Sequence, residues 1–295
     1  MEKIPLTVLA HEGPGSRAYL AMMAASGFKP SSIILMISTH GEPGGDSRPV
    51  GKCMPRFLRS KYARKVQEIR RMYWPRRIRK EHPSLYSSIA KGLAATIEKP
   101  REKLDEITGA FTWNKYSDDI KEVMIKNYRD PAILQLLIKE NISTVLYTGG
   151  GILPASLIHS RSKFIHIHPG KLPYVRGADG LLWSTLVRGR PGATCFYMDE
   201  KIDTGDIIKT TDLNPTTFEI SDTDRPNDQT LYRAIFSFYD PILRAKLFSD
   251  ILTKHEGRLP HTRKRQSTEE GITYHFMHPA IREKALKQIF IAPSH

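Results

Sequence analysis

Two histidines stand one residue apart in Phe164-Ile165-His166-Ile167-His168, and Pro169 and Gly170 follow at once. Side chains of an extended strand alternate between faces, so His166 and His168 point the same way. Paired imidazoles on one face at a strand end suit metal binding or acid–base chemistry, because imidazole titrates near neutrality. They also pack or cap in ordinary cores. A metal would need a third and usually a fourth ligand. Asp203 and Asp206 are candidates, but no further His, Asp or Glu spacing accompanies them, and no metal is expected. A core-packed pair fits poorly with the polar, glycine-rich run "HPG…LP…RGADG" that comes next. Loops of that composition at a sheet edge hold sites more often than they fill cores.

The elements around this pair read as alternating strands and helices. "PLTVLAHEGPGSRAYLAMMAASGF" gives strand, glycine-rich turn and helix, with Ser16 as the expected N-cap and Gly27 at the end. "SSIILMIS" is a short buried strand, and this β-α-β opening predicts a parallel, doubly wound sheet. "STVLYTGGGIL" repeats the strand–glycine-turn pattern, and "KFIHIHPG" is the next strand. "GATCFYMDEKIDTGDII" reads as a strand–turn–strand unit, since Asp-Thr-Gly-Asp is strong turn chemistry. Residues 227–257 predict a long helix pair around Pro241, and a further helix is expected near Pro279 to Phe290. The segment His40 to Pro55 is a glycine- and proline-dense loop long enough to be suspected of function.

Composition bounds the rest. The chain has 295 residues, 40% of them apolar, enough for one large α/β domain or a core plus an appendage. The opening "MEKIPLTVLAHEG" is neither a signal peptide nor a membrane span. Cys53 and Cys195 make no disulfide framework, which suggests a cytoplasmic, reducing compartment. The formal charge is +14, and ten of those net charges fall between Arg56 and Lys80, where Glu68 is the single acid. Such a patch suits an anionic partner or is a solvated helix face. That stretch is expected to be helical and interrupted at Pro75. The stacking and zinc-finger motifs of nucleic-acid binders are missing.

With these residues in view, the chain resembles the family of formyltransferases that use 10-formyltetrahydrofolate. The family signature runs Asn-x-His-Pro, Leu-Pro and Arg-Gly, then Asp-Glu-x-x-Asp-x-Gly. Here His168-Pro169, Leu172-Pro173, Arg176-Gly177 and Asp199-Glu200-Lys201-Ile202-Asp203-Thr204-Gly205 match it. The resemblance implies a Rossmann-type core over residues 1–213, with a mixed C-terminal extension over 214–295 packed on it. It implies His168 and Asp203 as catalytic residues. The family's asparagine slot is held by His166. It also implies a folate pocket lined by Gly150, Gly151, Ile152 and Leu153, with Met198, Asp199 and Glu200 opposite. Gly15, Ser16 and Arg17, at a helix N-terminus, resemble the phosphate-holding turn of one branch, and Arg176 could clamp an anionic group.

The implied reaction moves a formyl group to an amine or hydroxylamine nitrogen of a small molecule, such as an amino sugar nucleotide or a hydroxyornithine-type acceptor. The acceptor nitrogen must lose a proton, the folate nitrogen must gain one, and the developing oxyanion needs a fixed donor. A carboxylate at 203 would orient His168. His166 is expected to be the neutral N–H donor, because two adjacent imidazolium ions repel. Asp203 also reads as an Asx-turn residue, and Asp179 as the N-cap of the helix beginning "GLLW". Nucleic acid and membrane partners are not expected, and a homodimer is an option for the assembly. The rivals are a formyl-folate hydrolase, a folate-binding protein without turnover, a transfer-RNA formyltransferase and a metal-dependent hydrolase.

Overall fold

The computed structural model describes residues 1–40, 50–51, 53–267 and 269–293. Most of the suspected loop between His40 and Pro55 lies outside the described residues. The strands are β1 (Glu2–Ala10), β2 (Phe28–Ser38), β3 (Ile120–Ile125), β4 (Thr144–Tyr147), β5 (Lys163–His168), β6 (Val175–Gly177), β7 (Gly192–Tyr197), β8 (Ile207–Asp212), β9 (Phe218–Glu219), β10 (Ile272–Tyr274) and β11 (Phe290–Ile291). The helices are α1 (Pro14–Ala25), α2 (Arg56–Arg71), α3 (Tyr73–Glu81), α4 (Pro83–Leu93), α5 (Pro100–Thr108), α6 (Pro131–Lys139), α7 (Ala155–Ile158), α8 (Gly180–Arg188), α9 (Asp228–Ala234), α10 (Asp240–Lys254) and α11 (Pro279–Ile289).

A seven-stranded sheet runs in the order β3-β2-β1-β4-β5-β7-β8. The first five strands pair in parallel, and β7 and β8 continue the sheet antiparallel. This is an α/β fold with a doubly wound, mostly parallel sheet. Period-2 alternation along β2 explains how both faces are covered. Ile33, Leu35 and Ile37 enter one core cluster, while Ile34 and Met36 enter the other. Strand order reverses direction between β1 and β4, and ligands of open α/β sheets bind at the carboxyl ends beside such a switch.

Several local expectations are corrected. Helix α1 starts at Pro14 with Gly13 as its N-cap, so Ser16 lies inside the helix and bonds the Thr148 hydroxyl at 2.7 Å. The basic segment breaks at Met72 rather than at Pro75, which is tolerated in the first turn of α3. Between α9 and α10 the chain does not break at Pro241. It passes through a π-turn over Ile235–Tyr239, which re-phases the helix before Asp240. Asp179 holds the N-cap position of α8 but makes no cap bond.

Part of the basic stretch is paired with carboxylates, two of them delivered from elsewhere in the fold. Arg64 pairs with Glu122 on β3, Arg77 with Glu81, and Arg79 with Asp105 on α5. Lys65 and Arg76 share Glu68. Burial alone would raise the Glu68 carboxyl, but those two cations hold it down at about 2. The chain beyond Leu213 reaches back across the fold. α10 packs on α1, and β10 adds to β6 with Ile272 opposite Val175 and Tyr274 opposite Gly177.

Candidate active site

At the carboxyl ends of β4 and β5 a cavity of about 620 Å³ is lined by His166, His168, Asp203, Gly150–Leu153 and Met198–Lys201. Its remaining wall comes from α9, α10 and the stretch after Gly271, including Tyr232, Asp240, Arg244 and Tyr274. Among the described residues no group of three or more His, Cys, Asp or Glu is placed to hold a metal ion. No helix among them is long and apolar enough to cross a membrane.

His168 is 3% exposed, with Nδ1 3.3 Å from Asp203 Oδ2. Its Nε2 lies 2.9 Å from the Val175 carbonyl oxygen, which can only accept. Both ring nitrogens therefore face acceptors, and a ring carrying protons on both satisfies them together. Gly170 and Gly180 make room for this ring, since a Cβ on either would come within 2.6 or 2.8 Å of Nε2. Asp203 stands at φ 54° in the turn between β7 and β8. It is not an Asx-turn residue bonding its neighbours. Its Oδ2 accepts from the Gly177 amide at 2.8 Å, and its carbonyl accepts from Gln266 at 3.0 Å. One carboxylate thus joins the β7–β8 turn, the β6 backbone and His168.

His166 behaves differently. Its Nδ1 lies 3.0 Å from the Tyr147 carbonyl oxygen on β4, so Nδ1 carries the proton and donates. Burial, followed by the charge of Arg244, pushes its pKa down to about 4. The neutral ring then has a lone pair on Nε2, which has no partner among the described residues. This corrects the expectation of a neutral N–H donor toward the reacting group: the N–H is spent on Tyr147, and what faces the cavity is an acceptor.

The glycine turn after β4 hugs two aromatic rings. A Cβ on Gly149 would come 2.5 Å from the Tyr147 hydroxyl, and one on Gly151 2.3 Å from Tyr128, whereas Gly150 faces open space. Gly150, Gly151, Ile152 and Leu153 line the cavity together with Met198, Asp199 and Glu200.

The expected anion site is not reproduced. Arg17 is 1% exposed and already committed: Nε bonds Glu12 at 2.7 Å, and Nη1 bonds the carbonyls of Ile107 and Gly109. Glu12 also accepts from the Gly13 amide, so the chain's own carboxylate fills the turn. Gly15, Ser16 and Arg17 do not line the cavity, and neither does Arg176. Arg176 is 5% exposed and bonds the Ser267 carbonyl, tying down the C-terminal stretch. Asp179 is a buried joint, accepting from Tyr232 Oη at 2.9 Å and from the Met277 amide at 2.8 Å.

Asp240 and Arg244 were missed by the sequence reading. Arg244 Nη2 lies 2.7 Å from Asp240 Oδ2, and the pair is 14% and 2% exposed respectively. A signal existed. Residues 240, 244, 248 and 252 form one i, i+4 row, and Phe248 and Leu252 of that row are buried core. Two opposite charges in phase with an apolar stripe mark a buried pair.

No protein-family model matches the chain. The methionyl-tRNA formyltransferase of Syntrophus aciditrophicus is 40% identical over 84 residues, 27% of this chain and 27% of that protein. That of Clostridioides difficile is 31% identical over 108 residues, 32% of this chain and 35% of that one. The chain thus matches about a quarter to a third of the length of these curated relatives. Among solved structures, a sugar N-formyltransferase from a Shewanella species superposes with a TM-score of 0.45 at 12% identity, covering 98% of this chain and 87% of that one. A methionyl-tRNA formyltransferase from Clostridium thermocellum gives 0.38 at 16%, covering 70% and 78%. Over the matched stretches the chain is similar in sequence to methionyl-tRNA formyltransferases.

Proposed function

We propose that this chain moves a formyl group from 10-formyltetrahydrofolate to an amine or hydroxylamine nitrogen of a small molecule, an amino sugar nucleotide or hydroxyornithine-type acceptor. The observation that carries this reading is the convergence, in one cavity, of His166 and the His168–Asp203 pair with the backbone of Gly150–Leu153 and Met198–Glu200. A cavity of about 620 Å³ is of the size that takes a small ligand rather than a macromolecule. The glycine at 150 leaves open space where a Cβ would stand, and Leu153 and Met198 flank the cleft, so the residues present fit a flat heteroaromatic ring. The folate would supply the activated formyl group. In this reading residues 1–213 form the catalytic core, and residues 214–295 complete its pocket.

The chain's own residues then divide the work. His168, oriented by Asp203 and by the Val175 carbonyl, lies at the cavity where negative charge would develop on the formyl oxygen. His166 offers a nitrogen lone pair. That second feature also favours a hydrolase, because Nε2 can take a proton from water as readily as from an amine. Incubation with 10-formyltetrahydrofolate and a panel of hydroxyornithine, nucleotide-linked amino sugars, glycinamide ribonucleotide and charged transfer RNA tests the proposal. Release of tetrahydrofolate only with a small amine supports transfer. Formate without any acceptor supports hydrolysis, and folate binding without turnover refutes both.

A further inference from the structure

The cavity holds a buried ion pair that neither the folate pocket nor the His168–Asp203 pair requires. Asp240 and Arg244 lie on α10, one helical turn apart, directly after the π-turn. Each keeps one buried polar atom, Asp240 Oδ1 and Arg244 Nε, without a hydrogen-bond partner among the described residues. A cation held there by its own carboxylate acts on its neighbours through charge, since little water intervenes to screen it.

We infer that His166, through Nε2, is the proton acceptor of this cavity, and that the Asp240–Arg244 pair is the positioning charge that keeps that nitrogen free. The inference rests on the formyl-transfer reading and deepens it. Two observations support the first half. His166 Nδ1 is tied to the Tyr147 carbonyl, and both nitrogens of His168 are engaged, by Val175 and Asp203. Nε2 of His166 is therefore the one imidazole nitrogen of the pair left to receive a proton. For the second half, the charged and titratable groups facing His166 are Arg244 and Asp240 from α10, Asp203 from the β7–β8 turn, His168 from its own strand and Tyr147 from β4. Asp203 favours a charged ring. Arg244 and His168 oppose it, in the same direction as burial.

The proton balance closes within the cavity. The acceptor nitrogen spends its lone pair on the new bond to the formyl carbon and so becomes acidic, and Nε2 takes its proton. The donor nitrogen keeps the electron pair of its breaking bond to that carbon and receives the proton back from Nε2. Burial, with Arg244 lining the same cavity, makes the doubly protonated ring more acidic than an ordinary imidazolium, which favours the return. No oxidant or reductant is involved, and the ring ends as it began.

Histidine ¹⁵N spectra of the labelled full chain test this without any formyl donor. The signal lost in His166→Asn identifies the ring. At pH 7 it should show the proton on Nδ1, with a midpoint well below that of ordinary histidines. Arg244→Met should raise that midpoint by about one pH unit, and Arg244→Lys should restore it. The doubly neutral Asp240→Asn/Arg244→Met chain, which leaves no lone buried charge, should shift it the same way if Arg244→Met does not fold. A proton on Nε2 in the unaltered chain, or a midpoint unmoved in the neutral variants, overturns the inference. Because these readouts need no turnover, an inactive chain refutes the formyl-transfer reading, whereas an active chain protonated on Nε2 refutes only this one.

Discussion

Nδ1 of His166 sits 3.0 Å from the carbonyl oxygen of Tyr147, on the neighbouring parallel strand. One backbone acceptor therefore decides the tautomer of the ring and turns its lone pair toward the cavity. Replacing His166 by asparagine installs the residue of the signature that the chain resembles but removes that lone pair. His166→Asn should lower kcat for formyl transfer by about 10²–10⁴. Steady-state kinetics check this, and an asparagine variant at least as active as the unaltered chain would refute it.

One buried and one half-buried histidine should make the fold sensitive to acid. His11 is bonded to the Met36 carbonyl and the Tyr128 hydroxyl, and burial, with Arg71, pushes it down to about 3. His166 lies at about 4, against 6.5 for the ring in the unfolded chain. Between 6.5 and those values the unfolded chain binds more protons, so stability rises with pH across that window. It is fully present above pH 6.5 and is lost as pH falls toward 4 and then 3. Urea titrations from pH 7 to pH 4 should show this slope, made shallower by His166→Asn. Equal slopes in the two proteins would contradict it.

Asp203 joins three elements through one carboxyl group. Asp203→Asn keeps an acceptor for the Gly177 amide but removes the charge beside His168. Formyl transfer should fall by about 10²–10⁴ while the urea midpoint moves little. A loss of stability matching the loss of rate would instead make the residue a purely structural joint.

Gly180 opens α8, where alanine would ordinarily improve a helix. Here its Cβ would meet His168 Nε2 at 2.8 Å and the Pro169 carbonyl at 3.1 Å. Gly180→Ala should leave helix content unchanged by circular dichroism and cost about 10² in kcat through displacement of the imidazole. Full activity in that variant would show that the position of His168 does not matter.

Glu12 and Arg17 form a buried pair away from the cavity. Glu12→Gln leaves the guanidinium without its nearest carboxylate, although Glu68 remains 3.6 Å from Nη2. Stability should drop by about 3 kcal/mol in urea. KM for an anionic acceptor should not change, and a raised KM with unchanged stability would return Arg17 to the substrate site.

The alternation of strand, glycine turn and helix along the chain was enough to determine the parallel sheet, because side-chain period and turn chemistry are local properties. It also determined that His166 and His168 share a face. Asp203 was recognised through a family resemblance, since nothing in its own neighbourhood distinguishes a catalytic carboxylate from a turn residue. Other features were decided only by the tertiary structure. Where each imidazole donates depends on carbonyls that other strands deliver, Tyr147 to His166 and Val175 to His168. The fate of Arg17 depends on Glu12 and on carbonyls some ninety residues away. Asp240 and Arg244 reach the cavity because α10 packs across α1. Spacing along a chain encodes which face a side chain takes, but the hydrogen-bond partner that sets its chemistry comes from whichever segment folds against that face.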